Sequence, residues 1–235
     1  RFGIQSAALG QVANATGSLS QSIREAISAN DGRGISTDLS MSFSSIVSAL
    51  NETWNGQPLF AGDRLNGQPV KVTTLDALAT SNVATDVFDE AARHQIIDLG
   101  SGTPITLADK ASEMATPLFD TLKSLNALVQ SSGGAIGNPI TETQRNQLLA
   151  FADQLDAART TFNTAEGKSG QLQSRFDDQA TRLTDRSNLL TKEIGEQADA
   201  DPAQLSVQIN ALLTQYQAAA KTFADLSKLS LLQYL

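Results

Sequence analysis

The sequence predicts a mainly α protein, an elongated antiparallel helical bundle or coiled-coil rod with a small β-containing insertion module. Three observations predict it. Leu148, Leu155, Phe162, Ser169, Phe176, Leu183 and Leu190 recur at a strict seven-residue interval, and Ala152, Ala158, Ala165, Leu172, Ala180 and Ile194 fill the companion positions. A repeat sustained over about six heptads is a coiled-coil signal, and the rod it implies, from residue 142 to about 198, extends on the order of 85 Å at 1.5 Å per residue. Hydrophobic residues make up 40% of the chain and aromatics only 5%, so the core must be filled by Leu, Ala, Ile and Val along close helix seams. Between residues 57 and 113 the helical period lapses and Gly, Pro and Thr become frequent, which places the β-containing module there.

The first element is a helix with one apolar stripe: Phe2, Leu9, Val12, Thr16, Leu19, Ile23 and Ala26, with Gln5 as a polar interruption. Asn30-Asp31-Gly32-Arg33-Gly34 breaks it, with a Gly available for a left-handed cap. A second helix carries Ile35, Leu39, Phe43, Ile46, Val47 and Leu50, and Asn55-Gly56 stops it. The two could form an antiparallel hairpin or one rod with an irregular joint; the sequence leaves both open. Residues 1–56 are read as the N-terminal rod helices. The chain opens at Arg1, already in helix and without Met. It is therefore expected to lack an opening helix and the start of the first rod helix, some ~50–60 residues by element order.

Residues 57–113 form the insertion module. Pro69 to Thr73 reads as a strand, and Arg93 to Leu99 with Thr103 to Leu107 reads as a hairpin turning at Gly100-Ser101-Gly102. Residues 114–200 are the C-terminal rod helices. Leu118, Phe119, Leu122, Leu125, Leu128 and Val129 share a face until Gly133-Gly134, and Thr141 with Gln144 makes a capping box for the heptad helix. Leu148, Leu155, Phe162, Leu172, Phe176, Leu183, Leu190 and Ile194 are its expected seam. Gly167 and Gly170 inside it cost about 1 kcal/mol each relative to Ala. They mark a bend, a close backbone approach, or simple tolerance.

At Ala198-Asp199-Ala200-Asp201-Pro202 the pattern breaks, with Asp201 placed to cap and Pro202 to open a new helix. Residues 201–235 are the expected assembly helix. Leu205, Ile209, Leu212, Tyr216, Ala219, Phe223 and Leu226 alternate in steps of four and three, and Leu229, Leu232 and Leu235 extend the face; no charge follows Lys228. Burying one Leu is worth roughly 1.5–3 kcal/mol, so this terminus should be covered by a partner helix, from a missing N-terminal segment, from neighbouring copies, or from both.

Composition narrows the chemistry. With 17 Lys+Arg against 25 Asp+Glu the net charge is −8, and the cations are scattered singly, so no nucleic acid is expected as a partner. No run of about 18 apolar residues exists to span a membrane. The chain has no Cys and one His, which removes disulfides, thiolate metal sites and imidazole clusters. His94 lies in the expected hairpin with no second His to work with. Gly133 to Gly137 lacks the Lys-Ser/Thr of a phosphate loop. Asp177-Asp178 and Asp199/Asp201 read as solvated faces or caps, and the glycosylation-like patterns at Asn14 and Asn51 fall in expected helices. Trp54 sits at a helix end, for core packing or for a subunit contact. The sequence thus offers no catalytic, cofactor or metal site, and no enzyme is expected.

Three stretches carry a resemblance. Pro58-Leu59-Phe60-Ala61-Gly62-Asp63-Arg64 resembles the Phe-(Ala/Gly)-Gly-Thr-(Arg/Lys) turn of flagellar hook-filament junction proteins, with Asp63 where that family usually has Thr. Leu226-Ser227-Lys228-Leu229-Ser230-Leu231-Leu232-Gln233-Tyr234-Leu235 is similar to the ending of the same proteins, and Asp199-Ala200-Asp201 to the acidic joint before the terminal helix across the flagellin superfamily. The resemblance implies a structural adaptor joining hook to filament, secreted unfolded by type III export to the extracellular bacterial flagellum. It also implies self-association in a flagellar layer, contacts with a neighbouring hook-associated protein and with flagellin, and an export chaperone at the C-terminal helix. An absence of Cys suits unfolded export. A filament-forming flagellin is the first alternative, and an unrelated secreted coiled-coil interaction protein the second.

Overall fold

A computed structural model describes the backbone of residues 1–97 and 104–232, and the side chains in those ranges apart from 196–205 and 223–232. The chain divides into two units, Arg1–Arg175 and Phe176–Leu235. In order the elements are α1 (Phe2–Ala29), α2 (Ile35–Leu50), β1 (Thr53–Trp54), β2 (Gln57–Pro58), α3 (Leu75–Thr80), α4 (Val83–Asp86), β3 (Ile96–Ile97), β4 (Ile105–Thr106), α5 (Ala111–Ser131) and α6 (Glu142–Leu232). The mainly α class with a small β-containing insertion is what the periodicity predicts.

Helices α1 and α2 form an antiparallel hairpin, since Gln11 Nε2 reaches Ser45 Oγ at 3.2 Å across a connection of five residues. The left-handed position is Asn30 (φ 57), where a Gly was expected. Asn tolerates this backbone, and its side chain adds something Gly lacks: Oδ1 accepts from Ile140 N and Arg145 Nη2, both at 3.2 Å. Gly32 serves space instead, because a Cβ there would sit 2.4 Å from Ile136 Cγ2.

Helix α2 ends at Leu50, ahead of the expected stop. Asn55 (φ 51) and Gly56 (φ 77) are the two positive-φ residues of the turn joining β1 to β2, with Thr53 opposite Pro58 and Trp54 opposite Gln57. Asn-Gly is here a hairpin signal that the helical reading passed over. The strand expected at Pro69 to Thr73 does not form; Val70 makes one antiparallel bridge to Phe88. The bridge is made by Lys71 N donating to Val87 O at 2.8 Å and Asp89 N to Pro69 O at 2.9 Å, while on the other edge Asn51 Oδ1 accepts from Val70 N at 2.8 Å and its Nδ2 donates to Val70 O at 3.0 Å, taking the place of a second strand.

Two short helices, α3 and α4, were not foreseen. They are six and four residues long, too short for a period to show. Each is started by a side-chain cap, Thr74 Oγ1 accepting from Ala77 N and Asn82 Oδ1 from Ala84 N. The expected hairpin is present in shortened form, with Ile96 opposite Thr106 and Ile97 opposite Ile105. Its turn at Gly100 to Gly102 lies outside the described residues.

Helix α5 begins at Ala111, earlier than the apolar face suggested. The Glu90 carboxylate accepts from both Ser112 N and Ser112 Oγ at 2.6 Å, satisfying an otherwise unpaired N-terminal donor of the helix. Burial pushes the Glu90 carboxyl up, against the lowering effect of those Ser112 hydrogen bonds. The core of unit 1 gathers Phe43, Phe119 and Phe88 in edge-to-face pairs at 6.0 and 5.4 Å. The capping box of α6 forms in both directions, Gln144 N to Thr141 Oγ1 and Thr141 N to Gln144 Oε1. The interruption expected at residues 198–202 does not occur; α6 stays helical through Pro202. A proline inside a helix forfeits one hydrogen bond, and the Ala, Gln and Leu residues on either side are good helix formers that carry the helix on.

Candidate assembly interface

The first part of α6 lies antiparallel against α1 in unit 1. Ser20 Oγ donates to Ala152 O at 3.2 Å, and Arg24 reaches Asp153 and Asp156 at 2.8 Å each. Further along α6, Ser6 meets Glu166 and Ser169 Oγ donates to Phe2 O, both at 3.4 Å. Gly10 and Gly17 of α1 make room in this contact: a Cβ on them would lie 3.3 Å from Glu166 Oε1 and 3.0 Å from the Arg159 side chain. Burial works to raise the Asp156 carboxyl, but hydrogen bonds from Ser20 and Arg24 prevail and hold it below its ordinary range. Gln5, the expected polar interruption of α1, is only 3% exposed and its Nε2 donates to Leu107 O at 3.2 Å. It ties the residue after β4 to the helix.

The expected seam divides at this point. Leu148, Leu155 and Phe162 are fully buried in unit 1 with Ala152, Ala158 and Ala165 beside them. Leu172 and Phe176 are half-buried. Leu183, Leu190 and Ile194 are 58%, 48% and 67% exposed.

Of the expected assembly residues, Ile209, Leu212, Tyr216 and Ala219 are exposed, Tyr216 at 75%. The side chains of Leu205, Phe223, Leu226, Leu229 and Leu232, and all of Leu235, lie outside the described residues. Leu189, Val207 and Leu213 are also large, apolar and exposed. The seven-residue count passed over them, although Leu189-Leu190 and Leu212-Leu213 are visible doublets that widen the stripe.

The Phe60-Ala61-Gly62-Asp63-Arg64 segment closes unit 1 through its backbone. Phe60 O accepts from Ala111 N at 2.9 Å, Ala61 O from Ala91 N at 3.0 Å, and Asp63 N donates to Arg93 O at 3.0 Å. Gly62 has φ 67, and a Cβ would stand 2.3 Å from Arg93 O. Only glycine fits both the backbone angle and the contact. Arg64 pairs with Asp89. Trp54 is half-buried and packs against the core. His94 Nε2 lies 3.3 Å from Glu113 Oε1, and no cluster of three potential metal-ligating side chains occurs among the described residues. No helix among the described residues is long and apolar enough to cross a membrane.

Unit 1 is thus a helix bundle closed by backbone clamps, and the part of α6 in unit 2 carries exposed apolar side chains. Residues 152–235 match the family described as the bacterial flagellin C-terminal helical region. Among solved structures the chain is similar to FlgL of Bacillus cereus, with 13% identity and a TM-score of 0.60 over 79% of this chain and 84% of that one. It is similar too to a protein described as a flagellar hook-associated protein from Vibrio parahaemolyticus, at 15% identity and a TM-score of 0.63 over 83% of this chain and 84% of that one. The fold is therefore that of flagellar hook-associated proteins. No curated protein sequence matches the chain.

Proposed function

We propose that this protein is the adaptor joining hook to filament in the bacterial flagellum, assembling through the apolar stripe of α6. The observation that carries the reading is the exposure of Leu183, Leu190, Ile194, Ile209, Leu212 and Tyr216 on a chain whose last part matches the flagellin helical region. A stripe of this kind forgoes roughly 1.5–3 kcal/mol per leucine until a partner covers it. Residues 201–235 are the proposed assembly helix, with Leu205, Phe223, Leu226, Leu229, Leu232 and Leu235 continuing the face. Its partners are further copies in one flagellar layer, a neighbouring hook-associated protein and flagellin. The same stripe, before assembly, is the surface an export chaperone would cover, and secretion to the extracellular flagellum follows from the role.

The test is a gene deletion. Hooks without filaments, with filament protein shed into the medium, support the adaptor; full-length filaments in the deletion strain contradict it. A complete hook and junction layer with no filament protein would favour the flagellin reading. Two features favour the adaptor over a filament subunit: the fold shared with hook-associated proteins and the Phe60 to Arg64 turn.

A further inference from the structure

We propose that the turn Gly167 to Gly170 is a built-in opening point of α6, where the helix unwinds locally while the bundle of unit 1 stays folded. Two independent observations meet there. On the outer side, a Cβ placed on Gly167 or Gly170 meets nothing within 4 Å. Neither glycine is required by a close approach or by its backbone angle, and each lowers helix propensity where alanine would fit. On the inner side, the same stretch borders a cavity of about 270 Å³, to which α6 contributes Ala165, Ser169 and Leu172 and the facing elements Leu9, Phe60 and Met114. This cleft is partly open to solvent and is lined also by Gln5, Asp109 and Lys168, so water reaches the inner face of the turn. One turn of α6 is therefore weak in its own propensity and bordered by solvent on both faces, although Ser169 itself is only 1% exposed.

The anchors on either side differ sharply. Leu155 and Phe162 are fully buried, and opening the later turn leaves them untouched. At the turn itself the ties are a 3.4 Å hydrogen bond from Ser169 Oγ to Phe2 O and an exposed ion pair from Lys168 to Asp109 at 3.3 Å, and exposed pairs add little. Local opening free energies follow such differences in burial and contact density. This property belongs to the chain itself and does not depend on what the later part of α6 binds.

The test is amide hydrogen exchange on the full chain. Amides of residues 168–174 should exchange much faster than those of residues 152–162 in the same helix. Gly167→Ala with Gly170→Ala should slow residues 168–174 by roughly 25-fold, about fivefold per substitution from helix propensity, and leave residues 152–162 unchanged. Gly195→Ala, also in open space, is the control and should leave residues 168–174 as they were. Equal protection of the two segments in the unaltered chain overturns the proposal. So does a double variant that changes nothing at residues 168–174, or one that slows exchange equally along the whole of α6.

Discussion

Replacing leucine by alanine at successive seam positions of α6 separates the covered part of the stripe from the uncovered part. Leu155 is fully buried, whereas Leu190 is 48% exposed and Leu183 58%. Leu155→Ala removes the same atoms as the other two, but from a packed core, where loss of transfer energy and a residual cavity together cost about 2–5 kcal/mol. For a folded unit of this size each kcal/mol lowers Tm by about 2–4 °C, so Leu155→Ala should lower it by roughly 10 °C. Leu183→Ala and Leu190→Ala create no cavity. They should cost under about 0.5 kcal/mol in the dilute monomer, as surface substitutions do. Thermal and urea unfolding followed by circular dichroism at low protein concentration reads all three. Losses at Leu183 or Leu190 matching that at Leu155 would refute the reasoning, because they would mean that the stripe is already covered within one chain.

Gly62→Ala should destabilise by at least about 1–3 kcal/mol from backbone strain, with the 2.3 Å approach to Arg93 O adding to it; urea titration checks this, and a neutral result would dismiss the clamp. Asn51→Ala strands the N–H and C=O of the fully buried Val70, and a loss of about 1–3 kcal/mol is expected, read as a lower denaturation midpoint with an unchanged m-value. The Asp31 carboxyl is pulled down to about 2 by side-chain and backbone hydrogen bonds with Arg33. Because its folded value is depressed, its contribution to stability is present above the unfolded pKa near ~3.9 and lost as pH falls through about 2. An NMR titration of Asp31 should show that low midpoint, and Arg33→Ala should bring it back toward ~3.9; an unmoved midpoint would discard the pairing.

Much of the architecture was legible because it rests on long periodic signals. The α1 stripe, the α2 stripe, the Thr141 capping box and the heptads through Phe162 all repeat often enough for one face to stand out. What escaped reading was local or conditional. Asn55-Gly56 reads equally as a helix stop and as a primed hairpin turn, and Asn51 reaching Val70 across 19 residues leaves no periodic trace. Pro202 resembles a helix start when seen alone, yet α6 passes through it. Gln5 broke the α1 pattern and proved to be a tie, since a buried amide with a backbone partner cannot be told from an exposed one by spacing.

Class, helical periodicity and the shortage of catalytic side chains belonged to the sequence, because each depends on residue type and short-range spacing. Tertiary contacts alone decided where the seam stops being a core. Leu155 and Leu190 occupy equivalent heptad positions, yet Leu155 is fully buried in unit 1 and Leu190 is 48% exposed. A seven-residue repeat specifies an apolar face but says nothing of whether another helix covers it, since the cover comes from residues distant in sequence.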